Sequence, residues 1–172
     1  MSQPVSEFSR LVSVARLGSE PLRQEIEATA VERERLARRF DLLALDRLSA
    51  VVTLERQAGG LIRLEAVFDA AFTQECVVIL EPVAGSLNRS FALLYGPSQD
   101  EQDEIELDAD EPVFEPLTAD AIDVGEAVAQ ELSLALPEFP RLPDAAIETV
   151  TIAEPEDGPF TGLANLRRPP HH

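Results

Sequence analysis

The residues best suited to chemistry in this chain are carboxylates, and they crowd into one stretch. Asp100, Glu101, Asp103, Glu104, Glu106, Asp108, Asp110 and Glu111 supply eight acids in twelve positions. General acid–base catalysis needs titratable groups fixed in a cleft with displaced pKa values. This stretch offers only Ile105 and Leu107 as sizeable apolar residues, and like charges at such density repel. The sequence therefore predicts a mobile loop over 99–115 instead of a catalytic floor. A calcium loop would alternate its carboxylates around a glycine at the sixth position, and the run has no glycine. What eight clustered acids do offer is a binding segment for a partner of positive charge.

Other chemistry is sparse. Cys76 is the single cysteine, so no internal disulfide forms; it reads as a small buried hydrophobe before it reads as a nucleophile. His171 and His172 stand last in the chain, so no Ser–His or Cys–His dyad falls inside a fold, and no role is assigned to them. There is no lysine, no phosphate-cradling P-loop and no Gly-x-Gly-x-x-Gly. All fourteen basic residues are arginine. Four of them, Arg33, Arg35, Arg38 and Arg39, lie close enough to form a phosphate-binding patch facing RNA. Glu32, Glu34 and Asp41 dilute that field, and a solvated helix face is the simpler reading. The expectation is a protein that is not an enzyme, with no catalytic residue, metal, cofactor or small-molecule substrate.

The net charge of −18 is local. Residues 1–50 balance eight arginines against eight acids, whereas residues 99–160 set one arginine against nineteen acids. At 172 residues the chain suits one domain with an extension. No apolar run approaches the ~18 residues of a membrane span, and no basic-then-apolar leader is visible. With a lone cysteine, these features lead to a cytoplasmic expectation.

The elements that must position these residues follow from periodicity. Leu48, Ala50, Val52 and Leu54 alternate with Ser49, Val51, Thr53 and Glu55. After Ala58-Gly59-Gly60, Ile62, Leu64, Ala66 and Phe68 alternate with Arg63, Glu65, Val67 and Asp69. A third run passes through Leu87, Arg89, Phe91 and Leu93. Side chains on a strand alternate faces, so this is an antiparallel meander with one wet and one dry face. Glu7 to Val14 reads as a short first strand and Leu22 to Ala28 as a second. Thr29 and Glu32 have capping-box spacing, opening a helix from about Ala30 to Phe40 whose apolar side carries Val31, Leu36, Phe40 and Leu43. Asp123 is a good N-cap for a second helix, with Val124, Ala127, Val128, Leu132 and Ala135 on its apolar stripe and Pro137 at its end. That stripe should pack on the dry face of the meander.

The predicted fold is α+β: a curved, largely antiparallel sheet of about five strands with two packed helices. Whether the sheet closes towards a barrel stays open at this level. A single domain over 5–140 carries the acidic loop, and a Pro-rich flexible tail follows over 141–172, in which Phe160, Leu163 and Leu166 offer a short docking motif.

Three ordered pieces carry a family resemblance. Phe72-Thr73-Gln74-Glu75-Cys76-Val77-Val78-Ile79-Leu80-Glu81-Pro82-Val83 resembles the central hairpin of the YceD-type large ribosomal RNA subunit accumulation proteins, where two strands meet at a Cys-x-x-Cys turn. Ile122-Asp123-Val124 through Leu134-Ala135-Leu136-Pro137 resembles the helix that follows, and Pro159-Phe160 through Leu163-Ala164-Asn165-Leu166-Arg167 resembles the closing motif. Order and spacing agree from about Glu7 to Arg168. Two departures stand out: Ile79 occupies the second cysteine position of the turn, and no cysteine follows Pro137. Tetrahedral zinc needs about four ligands, so the resemblance implies a metal staple in relatives that this chain lacks.

The resemblance implies a cytoplasmic, non-enzymatic factor supporting accumulation of large-subunit (23S) ribosomal RNA during ribosome assembly. A chain this acidic is poorly suited to gripping RNA with its whole surface, because phosphate contacts dominate such affinity. An adaptor engaging a basic ribosomal protein, or pre-ribosomal RNA, is the expected role. The competing reading is an acidic binding protein or nucleic-acid mimic, which would hold its carboxylates on rigid elements.

Overall fold

The computed structural model describes residues 6–97 and 112–146. The acidic run Asp100–Glu111 and the C-terminal motif with Phe160, Leu163 and Leu166 lie outside the described residues.

Five strands make the main sheet: β2 (Leu22–Glu27), β3 (Ala44–Arg56), β4 (Ile62–Glu75), β5 (Pro82–Gly96) and β6 (Val113–Pro116). They pair in chain order, antiparallel from β2 to β5 and parallel between β5 and β6. β2 and β6 remain edges among the described residues, so this sheet is open and not a barrel. The α+β class and the antiparallel meander both hold.

The alternation read from the sequence decides which face is dry. Leu48, Ala50, Val52 and Leu54 on β3 and Ile62, Leu64, Ala66, Phe68, Ala70 and Phe72 on β4 are all buried. None of Ser49, Val51, Thr53, Glu65, Val67, Asp69, Ser90 or Ala92 on the opposite face is buried. A register shift between Leu45 and Arg47 marks a bulge at Asp46. The extra residue brings Leu45 onto the same dry side as Leu48 despite the odd spacing. Gly59 and Gly60 take φ of 75° and 79° in the β3–β4 turn, a backbone that side chains disfavour.

Helix α1 (Ala30–Arg39) opens with the expected capping box: Thr29 accepts from the Glu32 N–H, and the Glu32 carboxylate accepts from the Thr29 N–H. It closes with the Leu42 N–H bonded to the Ala37 carbonyl at 2.8 Å around Asp41 at φ 53°. That is a Schellman turn with aspartate where glycine is usual. Leu36, not Val31, carries the burial; Val31 and Leu43 are exposed, contrary to the stripe drawn from the sequence. Ala37, one turn position along, takes their place in the core. Helix α2 (Val124–Ala135) buries Val124, Ala127, Val128, Ala129 and Leu132 against the dry face.

Three further expectations change. The strand expected over Glu7 to Val14 shrinks to β1 (Leu11–Ser13), which pairs with β7 (Ala121–Asp123) outside the main sheet. The predicted loop over 99–115 ends within β6, where Val113 to Glu115 are held beside Leu93 to Tyr95. The tail expected to be flexible from 141 is folded back at its start. There the Arg141 guanidinium donates to the Ala145 carbonyl at 2.7 Å, and Ala145 is buried.

Candidate partner-binding surfaces

Of the four arginines of α1, Arg35, Arg38 and Arg39 line one shallow surface depression with Glu7, and Arg33 stands apart. Arg33 turns back and donates to the Ala28 carbonyl at 2.7 Å, closing the helix entry. Arg39 bridges Glu7 at 2.9 Å and Glu126 at 2.8 Å, tying α1 to the N-terminal segment and to α2. The hydrogen bond that Arg39 donates to Glu126, helped by the one to Glu7, raises the Arg39 pKa against the opposing effect of burial. Burial raises the Glu126 pKa in turn, but hydrogen bonds from Arg39 and Ser6 outweigh it and leave the carboxyl below its ordinary value. Arg38 makes an exposed pair with Glu34, four residues earlier on the helix, at 3.0 Å. Arg35 makes no ion pair among the described residues and points into solvent with Arg38. Two of the four are thus occupied in holding the fold.

A second network fixes the other end of the same helix. Arg10 donates to Glu32 at 2.7 Å and to the Glu27 carbonyl at 2.9 Å, while the Arg10 N–H bonds Asp123 at 2.7 Å. The hydrogen bond from Arg10, with those from Thr29, holds the Glu32 pKa down at about 2. Asp123 caps α2 through the N–H groups of Gly125 and Glu126 and accepts from Ser9. These perturbed groups are joined to one another by the elements they brace.

The acidic run Asp100–Glu111 lies outside the described residues, but its flanking strands do not. In sequence it falls between β5 and β6, which lie directly side by side, with Leu94 opposite Phe114 and Tyr95 opposite Glu115. Burial, reinforced by Glu115 and Asp123, pushes the Tyr95 phenol up to about 12.

The opposite end of the sheet carries a surface that no motif in the sequence announced. The β4–β5 connection is a tight turn: the Cys76 N–H donates to the Glu81 carbonyl at 2.8 Å and the Leu80 N–H to the Cys76 carbonyl at 2.9 Å. The chain after α2 crosses it, with the Val77 N–H bonded to the Pro140 carbonyl and the Gln74 amide to the Pro137 carbonyl, both at 3.0 Å. Between this turn, the end of α1 and the end of α2 lies a groove of about 710 Å³. Its only legible signal was the run Val77-Val78-Ile79-Leu80, which a hairpin tip would be expected to avoid.

Fold and surfaces together define an α+β protein with helices on one face of an open, twisted sheet. A family model, that of the large ribosomal RNA subunit accumulation protein YceD, matches residues 64–167, more than half of the 172-residue chain. The chain belongs to this family. Comparison with curated proteins and with solved structures gave no match.

The metal staple that the resemblance implies for relatives does not fit the residues around Cys76. Burial raises the pKa of this thiol, but the N–H groups of Leu142, Val78 and Ile79, with the Arg141 guanidinium, outweigh it and lower it. The misfit is one of ligand number: tetrahedral zinc takes about four, and around this thiol no group of three or more His, Cys, Asp or Glu is placed to hold a metal among the described residues. Ile79 supplies no ligand. Here the turn is held by backbone hydrogen bonds and by burial of Cys76 itself.

Proposed function

We propose that this chain is a non-enzymatic, cytoplasmic factor that supports accumulation of large-subunit ribosomal RNA by acting as an adaptor in ribosome assembly. Family membership supports the ribosomal role, since the family is named for it. The observation that carries the adaptor reading is the segregation of charge. Residues 1–97 set eleven arginines against thirteen acids, whereas Asp100 to Glu111 add eight carboxylates and no arginine in the sequence between β5 and β6. Such a segment is matched to a basic ribosomal protein, whose cationic surface it would engage by long-range attraction. Arg35 and Arg38 are the positions left for any phosphate of pre-ribosomal RNA. The non-enzymatic reading is supported by the way Arg10, Glu32, Arg39 and Glu126 are spent on one another across α1 and α2.

The test is a pull-down of assembly intermediates with the tagged chain at low and high salt. Changing the eight acids to Asn and Gln should release basic ribosomal proteins and abolish the salt dependence. Retention unchanged by neutralisation would overturn the adaptor reading.

A further inference from the structure

We propose that the groove at the hairpin tip is a docking site for an amphipathic segment of a basic protein, its apolar side chains entering the groove and its cations lying along the rim. Exposed large apolar residues are unevenly placed on this molecule. Val77 and Leu80 on the β4–β5 turn are 52% and 67% exposed, and Phe139, just after α2, is 78% exposed. Of these, Val77 and Leu80 line the groove, together with Phe40 from the end of α1 and Leu136 from the end of α2. Single surface leucines need no explanation, but apolar residues from three separate segments lining one groove do.

Leu80, at φ 61°, closes the turn by donating its N–H to the Cys76 carbonyl, and this backbone leaves its side chain exposed at the groove.

Charge selects the occupant. Asp41, Glu75 and Glu138 line the groove, and the cation among its lining residues, Arg39, is already engaged by Glu7 and Glu126. The rim therefore presents carboxylates around an apolar floor formed by Phe40, Val77, Leu80 and Leu136. That combination suits a segment with leucine-like residues on one face and Lys or Arg on the other, the helix-in-groove mode of recognition. It disfavours RNA, whose phosphates the rim would repel. The inference rests on the adaptor reading for its basic partner, and it places the contact away from the acidic run.

The experiment titrates the full-length chain with a synthetic leucine/lysine amphipathic peptide, followed residue by residue through backbone amide chemical shifts. Shifts should concentrate at Asp41–Leu43, Val77–Leu80 and Glu138–Phe139. Leu80→Asn and Val77→Ser should each weaken binding about tenfold, and a leucine/glutamate peptide should bind about tenfold more weakly still. Asparagine tolerates the left-handed region, so Leu80→Asn should fold as stably as wild type or better, which separates lost contact from lost structure. Shifts confined to residues 98–111 or to the Val51–Val67 face would overturn the proposal. So would unchanged affinity of both variants, groove shifts produced by a single-stranded RNA oligomer instead of the peptide, or self-association that Val77→Ser abolishes. Release of ribosomal proteins from the eight-site acid variant reports on the adaptor reading alone, so the two ideas fail separately.

Discussion

Gly125→Ala adds one methyl group to the first turn of α2. By helix propensity alone this should help, by up to about 1 kcal/mol, because glycine is the weaker helix former. The fold reverses the sign. A Cβ at this position would stand 2.5 Å from the Phe8 carbonyl oxygen and 3.0 Å from the Arg10 nitrogen. Both are backbone atoms, far inside the ~3.5 Å at which non-bonded contacts become favourable. Relief requires the segment Phe8–Arg10 to withdraw from α2, stretching the Val124 N–H bond to the Arg10 carbonyl (3.1 Å) and the Arg10 N–H bond to Asp123 (2.7 Å). Overpacking of this kind costs about 1–3 kcal/mol, and each weakened hydrogen bond about 1 kcal/mol. After the propensity gain, a net loss of about 2 kcal/mol is expected. Urea unfolding followed by circular dichroism should show a lower midpoint at unchanged slope, and the melting temperature should drop by roughly 4–8 °C. Gly18→Ala is the control: nothing lies within 4 Å of its would-be Cβ, so it should be neutral or slightly stabilising. A Gly125→Ala protein at least as stable as wild type would refute the packing argument.

Other perturbations test the networks around α1 and the turn. The Glu32 pKa lies at about 2 against an ordinary 4.5, so its pairing with Arg10 stabilises the fold fully above about pH 4.5 and fades as the pH falls towards 2. Glu32→Gln should therefore lower the urea midpoint at pH 7, with the gap to wild type narrowing from about pH 5 to about pH 3; a gap constant with pH would exclude an ionic origin. Arg39→Ala, which strands Glu7 and Glu126, should cost about 1 kcal/mol, whereas Arg35→Ala should stay within about 0.5 kcal/mol. Equal effects in thermal melts would contradict the different roles assigned to them. Removal of metal with EDTA should leave the melting temperature unchanged, and a drop would reveal a bound ion. The buried Cys76 thiol should react with Ellman's reagent only as the chain unfolds, and rapid native labelling would show that the turn opens on its own.

The family was legible because its signals are local and ordered: a hairpin tip, a capped helix and a closing motif, each readable from adjacent residues. The candidate surfaces were legible only in part. Arg33, Arg35, Arg38 and Arg39 looked equivalent on a helical projection, yet Arg39 finds Glu126 across 87 positions of sequence. No spacing rule foresees such a partner. The groove was missed for the same reason, since its walls come from around Phe40, Val77 and Leu136.

What the sequence determined by itself is the local grammar of the molecule. Period-two alternation chose the dry face of β3 and β4, Thr29 and Glu32 opened α1, and Asp123 and Pro137 bracketed α2. These follow from contacts within a few residues, which the chain makes wherever it finds itself. Tertiary structure alone decided that β1 leaves the main sheet for β7, that β6 joins β5 in parallel, and that Leu80 lines a groove with Phe40 and Leu136. Those outcomes depend on which distant segments meet. Packing against a shared core settles that, and no local preference encodes it.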